Sequence, residues 1–116
     1  MDIRDVDGVC IADITGNVVS QSELKELKKL YKAKAGRKRI GINLENVSSI
    51  NYDFILLLQE CAFKHKISLF NVAVDVYMML FISHSDKYIN IYLDENDFIS
   101  DKRSIVYRRL KLLKSA

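Results

Sequence analysis

One short stretch, residues 39–54 (RIGINLENVSSINYDF), constrains the fold most, because it predicts a β-strand that leads directly into a helix. Ile40, Ile42 and Leu44 alternate with small or polar residues, which is the pattern of a strand with one apolar face. After a polar loop, Asn51 stands where a helix begins, and its side-chain oxygen can accept a hydrogen bond from a first-turn amide. In an open α/β sheet, such a helix N-terminus lies at the edge where ligands or partners bind.

The composition indicates an ordinary globular domain. The 116 residues suffice for one hydrophobic core, and 49% of them are apolar and 28% charged. The net charge of +3 does not imply a nucleic-acid partner. The N-terminus lacks the basic and apolar regions of a signal peptide, so we expect a cytoplasmic protein. Cys10 and Cys61 have no metal-ligand spacing, and we interpret both as reduced thiols.

The order of elements follows from turns, caps and periodicity. Asp7-Gly8 is a hairpin-turn dipeptide, and Ser20 with Glu23 has the form of a capping box before a helix that ends near Gly36. Asp75 is the expected N-cap of the third helix. Strands are predicted at 9–14, 39–44, 67–74 and 88–93 with a weak one before the hairpin turn, and helices at 20–35, 52–66, 76–83, 94–99 and 104–114.

The element order β-β-α-β-α-β-α-β-α predicts an α/β fold. We expect a mixed, mostly parallel sheet of four or five strands, covered by helices and carrying an N-terminal β-hairpin. The whole chain, residues 1–116, is interpreted as one domain with a core over about 3–100 and a basic amphipathic C-terminal helix at about 103–115.

Two helices contain more apolar residues than one sheet-facing side requires. The runs 54–58 (FILLL) and 76–82 (VYMMLFI) extend right around a helix, so their outer flanks predict a shared exposed patch. Met78 and Met79 suit a contact surface because methionine adapts its shape. The alternative is that loops or the C-terminal helix cover these flanks. A homodimer formed through the patch is a third possibility.

The C-terminal segment is basic and amphipathic. Residues 102–116 carry six basic and no acidic residues, whereas residues 67–101 carry six acidic residues and one lysine. The segment can pack on the domain through its leucines, or it can bind an acidic partner, an anionic ligand or an anionic membrane surface. Direct membrane contact is expected only through this helix or through a partner.

No motif of catalysis or cofactor binding is visible. The four glycines form no phosphate-binding loop, and no metalloprotease or nucleophile-elbow motif occurs. We therefore expect a protein that is not an enzyme and that needs no cofactor or metal.

The segment 42–58 (INLENVSSINYDFILLL) resembles the STAS domain, the fold shared by anti-sigma factor antagonists and the cytosolic ends of sulphate transporters. That family shows a strand ending in Asp-Leu-Ser and then Ile-Asp-Ser-Ser-Gly at a helix start. Residues 43–45 (NLE) and 50–54 (INYDF) stand at these two places. Residues 12–18 (ADITGNV) and 67–99 are similar to the family's preceding turn and its strand–helix–strand finish.

The resemblance implies a regulatory module that binds an anti-sigma factor or a kinase-like protein. In antagonists of the family, the first serine after the aspartate is phosphorylated, which releases the partner. Tyr52 and Asp53 occupy that position and the next one, so the usual switch is expected to be absent or altered. Phe54 replaces the family's small glycine and adds bulk where a partner would approach.

The leading hypothesis is therefore a non-enzymatic protein-interaction module. The predicted partner-binding residues lie in the loop and on the two apolar helices: Ser48, Ser49, Asn51, Tyr52, Asp53, Phe54, Met78 and Met79. A variant resembles the STAS subunits that brace the ATPase of a lipid-transport complex. A binder of anionic ligands or membranes through the C-terminal helix is the alternative from another class.

Overall fold

The computed structural model describes residues 1–34, 36–62, 67–87 and 89–102. The strands are β1 (Asp2–Val6), β2 (Val9–Asp13), β3 (Ile40–Asn43), β4 (Ile67–Phe70) and β5 (Ile89–Tyr92). The helices are α1 (Gln21–Lys34), α2 (Tyr52–Ala62), α3 (Val74–Ile82) and α4 (Glu95–Ile99), and a 3-10 turn follows α3 at Ser85–Lys87.

The strands form one mixed sheet in the order β1-β2-β3-β4-β5. β1 pairs antiparallel with β2, and the three remaining pairs are parallel, with Ile42 beside both Ala12 and Leu69. The prediction of a mostly parallel α/β sheet with an N-terminal hairpin is confirmed. Because parallel strands end at one edge of a sheet, the chain leaves β3 and β4 for α2 and α3 at the same edge.

The hairpin turn and the first helix start follow from local chemistry. Asp7 and Gly8 both have positive φ, 47° and 84°, which is the conformation of the two-residue turn that matches strand twist. At α1, the Ser20 hydroxyl accepts from the Glu23 amide at 3.2 Å, and the Glu23 carboxylate accepts from the Ser20 amide at 3.1 Å. The predicted capping box is confirmed, and it fixes the direction of α1 over the sheet.

The two faces of the sheet are covered unequally. The larger core cluster joins one sheet face to α1, α2 and α3, and its members include Ala12, Leu27, Ile42, Leu57, Leu69 and Leu80. The opposite face carries a small cluster in which Phe98 of α4 packs with Ile11, Phe70 and Tyr92. A Cβ on Gly41 would meet the Phe98 ring at 2.6 Å, so the absence of a side chain there lets α4 approach the strands.

Two predicted boundaries after β3 are wrong for a local reason. The strand predicted at 67–74 ends at Phe70 because Asn71 adopts a positive φ of 55°, which turns the chain out of the sheet. α3 then begins at Val74, and Ala73 in the N-cap position makes no side-chain capping bond. Asp75 is therefore not the cap; it lies in the first turn, where its charge faces the positive end of the helix dipole.

Two remaining predictions have different outcomes. The short helix after β5 is confirmed, and the Asp94 side chain caps it by accepting from the Asp97 amide at 2.9 Å. The C-terminal helix predicted at 103–115 lies outside the described residues. In the described ranges, we find no helix with both the length and the apolarity that crossing a bilayer requires.

Candidate functional site

The loop between β3 and α2 ends at a well-formed helix cap. The Asn51 side-chain oxygen accepts from the Phe54 amide at 2.9 Å, as the sequence predicts. Val47 and Ile50 are buried and anchor the loop to the core, and the Leu44 amide donates to the Phe70 carbonyl at 3.1 Å. The loop therefore holds the α2 N-terminus at a fixed place on the sheet edge. Residues 48–53 are called the loop tip below.

The loop tip contacts the connection between β2 and α1. The Asn17 carbonyl accepts from the amides of Ser48 at 2.9 Å and of Ser49 at 3.5 Å, and both serines are exposed. The side-chain amide Nε2 of Gln21 donates to the Asp53 carboxylate at 2.6 Å. Two segments distant in sequence therefore form one surface, and Asp53 is oriented by the first residue of α1.

Tyr52 is the most exposed large apolar side chain of the loop tip, with 71% of its surface accessible. Asp53 beside it is also exposed, while Asn51 is half-buried because its side chain turns inward to cap the helix. The structure thus presents an aromatic ring and a carboxylate at the positive end of α2. Both side chains are accessible to a macromolecule.

The prediction that Phe54 adds bulk to a partner-binding surface is wrong. Its side chain is completely buried in the larger core cluster. Phe54 is in the first turn of α2 on the side that faces the sheet, where an aromatic ring fills space between the helix and the strands. Phe54 is therefore not part of the candidate site.

The apolar run of α2 is mostly covered, contrary to the prediction of an exposed flank. Leu57 and Leu58 are buried like Phe54, and Ile55 and Leu56 are half-buried. The reason is that α2 packs against α1 on one side and against the 3-10 turn after α3 on the other. A helix between two neighbours buries a wider arc than a helix at the end of a layer.

The outer side of α3 carries the exposed apolar surface. Val74 is 57%, Met79 37% and Ile82 70% accessible, whereas Val76, Tyr77 and Leu80 are buried against the sheet. Met78 is half-buried and packs against the larger core cluster. We call Val74, Met78, Met79 and Ile82 the α3 face. It begins at the sheet edge that also carries the loop tip.

A chain of polar side chains near this edge was not predicted from the sequence. Arg4 donates to both carboxylate oxygens of Asp13, at 2.5 and 3.0 Å, and its Nη2 also donates to Glu95 at 2.6 Å. Asn43 donates to Asp13 at 2.8 Å, and Asn71 donates to Asn43 at 3.0 Å. This network of side-chain hydrogen bonds links the ends of β2, β3 and β4. The sequence signal was a polar residue at the end of each strand.

The Asp13 carboxylate is held in its charged form. Burial alone would raise its pKa, but the hydrogen bonds from Arg4 and Asn43 and the Arg4 charge hold the pKa below its ordinary value. Each of these polar groups has a partner, which indicates a bracing role for the sheet edge. In the described ranges, no three His, Cys, Asp or Glu side chains gather where they could hold a metal ion.

A second polar cluster fixes α4 on the sheet face opposite the larger core cluster. The Arg39 guanidinium lies 4.6 Å from the Phe98 ring centroid and donates to the Tyr92 hydroxyl at 3.2 Å. The Tyr92 hydroxyl donates to the Asp101 carboxylate. Burial, followed by this acceptor, raises the pKa of Tyr92, so the hydroxyl keeps its proton.

Comparison with known proteins finds similarity at the level of the fold. No protein-family profile matches the chain, and no curated protein matches it. The structure is similar to the crystal structure of a proposed anti-sigma factor antagonist from Thermotoga maritima. The TM-score is 0.64 at 19% sequence identity, over 89% of this chain and 94% of that chain. This chain has a STAS-like fold. At this identity the similarity establishes the STAS-like fold alone.

Proposed function

We propose that the chain is a non-enzymatic regulatory module that binds a protein partner through the loop tip and the α3 face. The supporting observation is that Val74, Met79 and Ile82 are all accessible on one short helix, while Tyr52 is accessible at the start of α2, which begins at the same sheet edge as α3. Single exposed apolar residues are normal on any protein, but several on one short helix form a patch. Apolar and aromatic side chains of this kind provide most of the affinity in protein interfaces.

The polar groups of the loop tip would give the interaction its specificity. The exposed Asp53 carboxylate is oriented by Gln21, and the accessible Ser48 and Ser49 are held by the Asn17 carbonyl. A partner with apolar side chains for the α3 face and a basic group for Asp53 would match both parts of the surface. A surface with an apolar centre and a polar rim is the usual anatomy of such an interface.

We propose further that binding does not depend on phosphorylation of the α2 N-terminus. Tyr52 stands where the STAS antagonists carry the phosphorylated serine and Asp53 stands at the next position, and neither is a substrate for a serine kinase. The fixed Asp53 charge provides part of the negative potential that a phosphate would add, without its three oxygens. The similarity to a proposed anti-sigma factor antagonist supports an anti-sigma factor or kinase-like protein as the partner class.

The test compares two variants that each replace one exposed β-branched apolar residue with glutamate, at different places on the protein. Val74→Glu puts a charge on the α3 face, and Ile3→Glu puts one on the exposed part of β1. Each tagged protein is used to capture partners from extract of the source cell, and captured proteins are quantified by mass spectrometry. We expect at least one protein to be retained by wild type and by Ile3→Glu and lost, about tenfold or more, by Val74→Glu.

Folding is checked separately, because loss of capture must not arise from unfolding. Substitutions at such exposed positions usually change the free energy of unfolding by less than about 0.5 kcal/mol, so urea denaturation should give similar midpoints for all three proteins. If Val74→Glu retains every protein that wild type captures, the α3 face is not the binding surface and the proposal fails.

A further inference from the structure

The exposed side of α1 carries a line of lysines that the proposed function does not use. Lys25, Lys28, Lys29 and Lys32 are all exposed, and we call them the lysine stripe. At about 100° per residue they fall within an arc of roughly 100°, and they extend about 10 Å along the helix. The buried residues of α1 include Leu24, Leu27, Leu30 and Tyr31. The stripe is therefore the outermost line of the helix.

The charges of the stripe are largely unneutralised. Among the described residues, Lys25, Lys29 and Lys32 have no ion-pair partner, and Lys28 lies 3.9 Å from Glu60 in an exposed pair. Such an exposed pair is weak. Arg37 and Lys38 extend the positive surface past the end of the helix, although Lys38 also contacts Asp5 at 3.3 Å.

The molecule's charge is strongly segregated along the sequence. Residues 25–39 contain eight basic residues and one acidic residue, whereas residues 40–101 contain nine acidic and three basic residues. The net charge of +3 for the whole chain conceals this separation. A helix whose outer side is positive would turn that side towards an extended anionic surface.

The side chains of the stripe indicate what kind of anionic surface would bind it. All four are lysines, which are point charges without the bidentate geometry by which arginine recognises one phosphate or carboxylate. The only aromatic residue of α1, Tyr31, is buried, so the stripe offers no ring on which a base could stack. The exposed side also lacks large apolar residues that could insert into a bilayer or fill a protein pocket.

We propose that the lysine stripe, extended by Arg37 and Lys38, holds the protein against the anionic lipid headgroups of a membrane surface. Binding is electrostatic and reversible, without insertion, because no large apolar side chain of α1 is exposed. This inference is independent of the proposed partner-binding function, because the α3 face and the loop tip are on different elements. It also differs from membrane binding through the C-terminal segment, since it rests on described residues of α1.

The test measures binding of the full chain to vesicles by sedimentation. Vesicles containing about 30% phosphatidylserine in phosphatidylcholine are compared with phosphatidylcholine alone, at about 0.05 M and 0.5 M salt. Wild type should pellet only with the anionic vesicles at low salt. The double variant Lys25→Gln/Lys29→Gln should bind about 25-fold more weakly, because each lysine near such a surface contributes roughly a fivefold factor.

The single variant Lys29→Gln should bind about fivefold more weakly than wild type. Its matched control is Lys87→Gln, which loses the same charge from an exposed position outside both α1 and the basic segment 102–116. It should bind within about twofold of wild type, because distant charges are screened. Failure of wild type to pellet with anionic vesicles overturns the inference, and so does an equal loss of binding in Lys29→Gln and Lys87→Gln. Duplex DNA that displaces the protein from vesicles at equal phosphate concentration would reassign the stripe to nucleic acid and also overturn it.

Discussion

At the scale of single residues, the contact between Gly41 and the Phe98 ring leaves no space for a side chain at position 41. Phe98 stacks on Phe70 with ring centroids 5.4 Å apart and packs edge-on against Tyr92 at 5.6 Å. The ring occupies the space that a Cβ at position 41 would need. The absence of a side chain at Gly41 of β3 therefore allows α4 to pack on the sheet face opposite α1, α2 and α3.

We predict that Gly41→Ala lowers the free energy of unfolding by about 1–3 kcal/mol, because the added methyl group overpacks the site. Urea denaturation followed by circular dichroism measures the change. The double variant Gly41→Ala/Phe98→Leu makes room for the methyl group, so the alanine should cost less in that background than in wild type. An equal cost in both backgrounds would show that the Phe98 contact is not the cause.

The Asp13 carboxylate gives a prediction about pH. Its folded pKa lies below its ordinary value, so the stability it contributes is complete above the unfolded pKa of about 3.9 and is lost as pH falls through the folded pKa. We therefore expect the unfolding free energy of wild type to fall more steeply below about pH 4 than that of Asp13→Asn. Urea denaturation across this pH range measures both. Parallel curves would contradict the role of the contact with Arg4.

At the scale of secondary-structure elements, Asn51 determines where α2 begins. Its side chain satisfies the Phe54 amide, which otherwise has no partner in the first helical turn. The start of α2 in turn places Tyr52 and Asp53 at the accessible edge. A loss of the cap would fray the part of the helix that carries the candidate site.

We predict that Asn51→Ala lowers the free energy of unfolding by about 1 kcal/mol, whereas Asn51→Asp retains most of the stability because aspartate is an equally good cap. Chemical denaturation of the two variants measures the difference. Equal loss in both variants would mean that the amide side chain contributes through another contact.

The contacts that position these elements differ in how far the sequence could predict them. The Asn51 cap, the capping box of α1 and the Asp7-Gly8 turn were predictable because each depends on residues within four positions of one another. The burial of Phe54 and Leu58 was not, because it depends on α2 lying between other elements. The contacts of Arg4 with Glu95 and of Arg39 with Phe98 join distant segments, and no local pattern indicates them.

At the scale of the whole molecule, the two proposed surfaces occupy separate helices of one layer. The α3 face is apolar and adjoins the loop tip, while the lysine stripe on α1 is purely charged. The structural similarity to a proposed anti-sigma factor antagonist establishes the STAS-like arrangement of these helices over the sheet. Such an arrangement would allow the protein to bind a partner while α1 faces a different surface.

The central claim is that a protein partner covers the loop tip and the α3 face. Hydrogen–deuterium exchange of the chain, alone and with the partner that the capture experiment identifies, tests it most directly. We expect slower amide exchange on binding within residues 48–55 and 74–82, and unchanged exchange within residues 25–34. Protection confined to α1, or no change in residues 48–55 and 74–82, would contradict it.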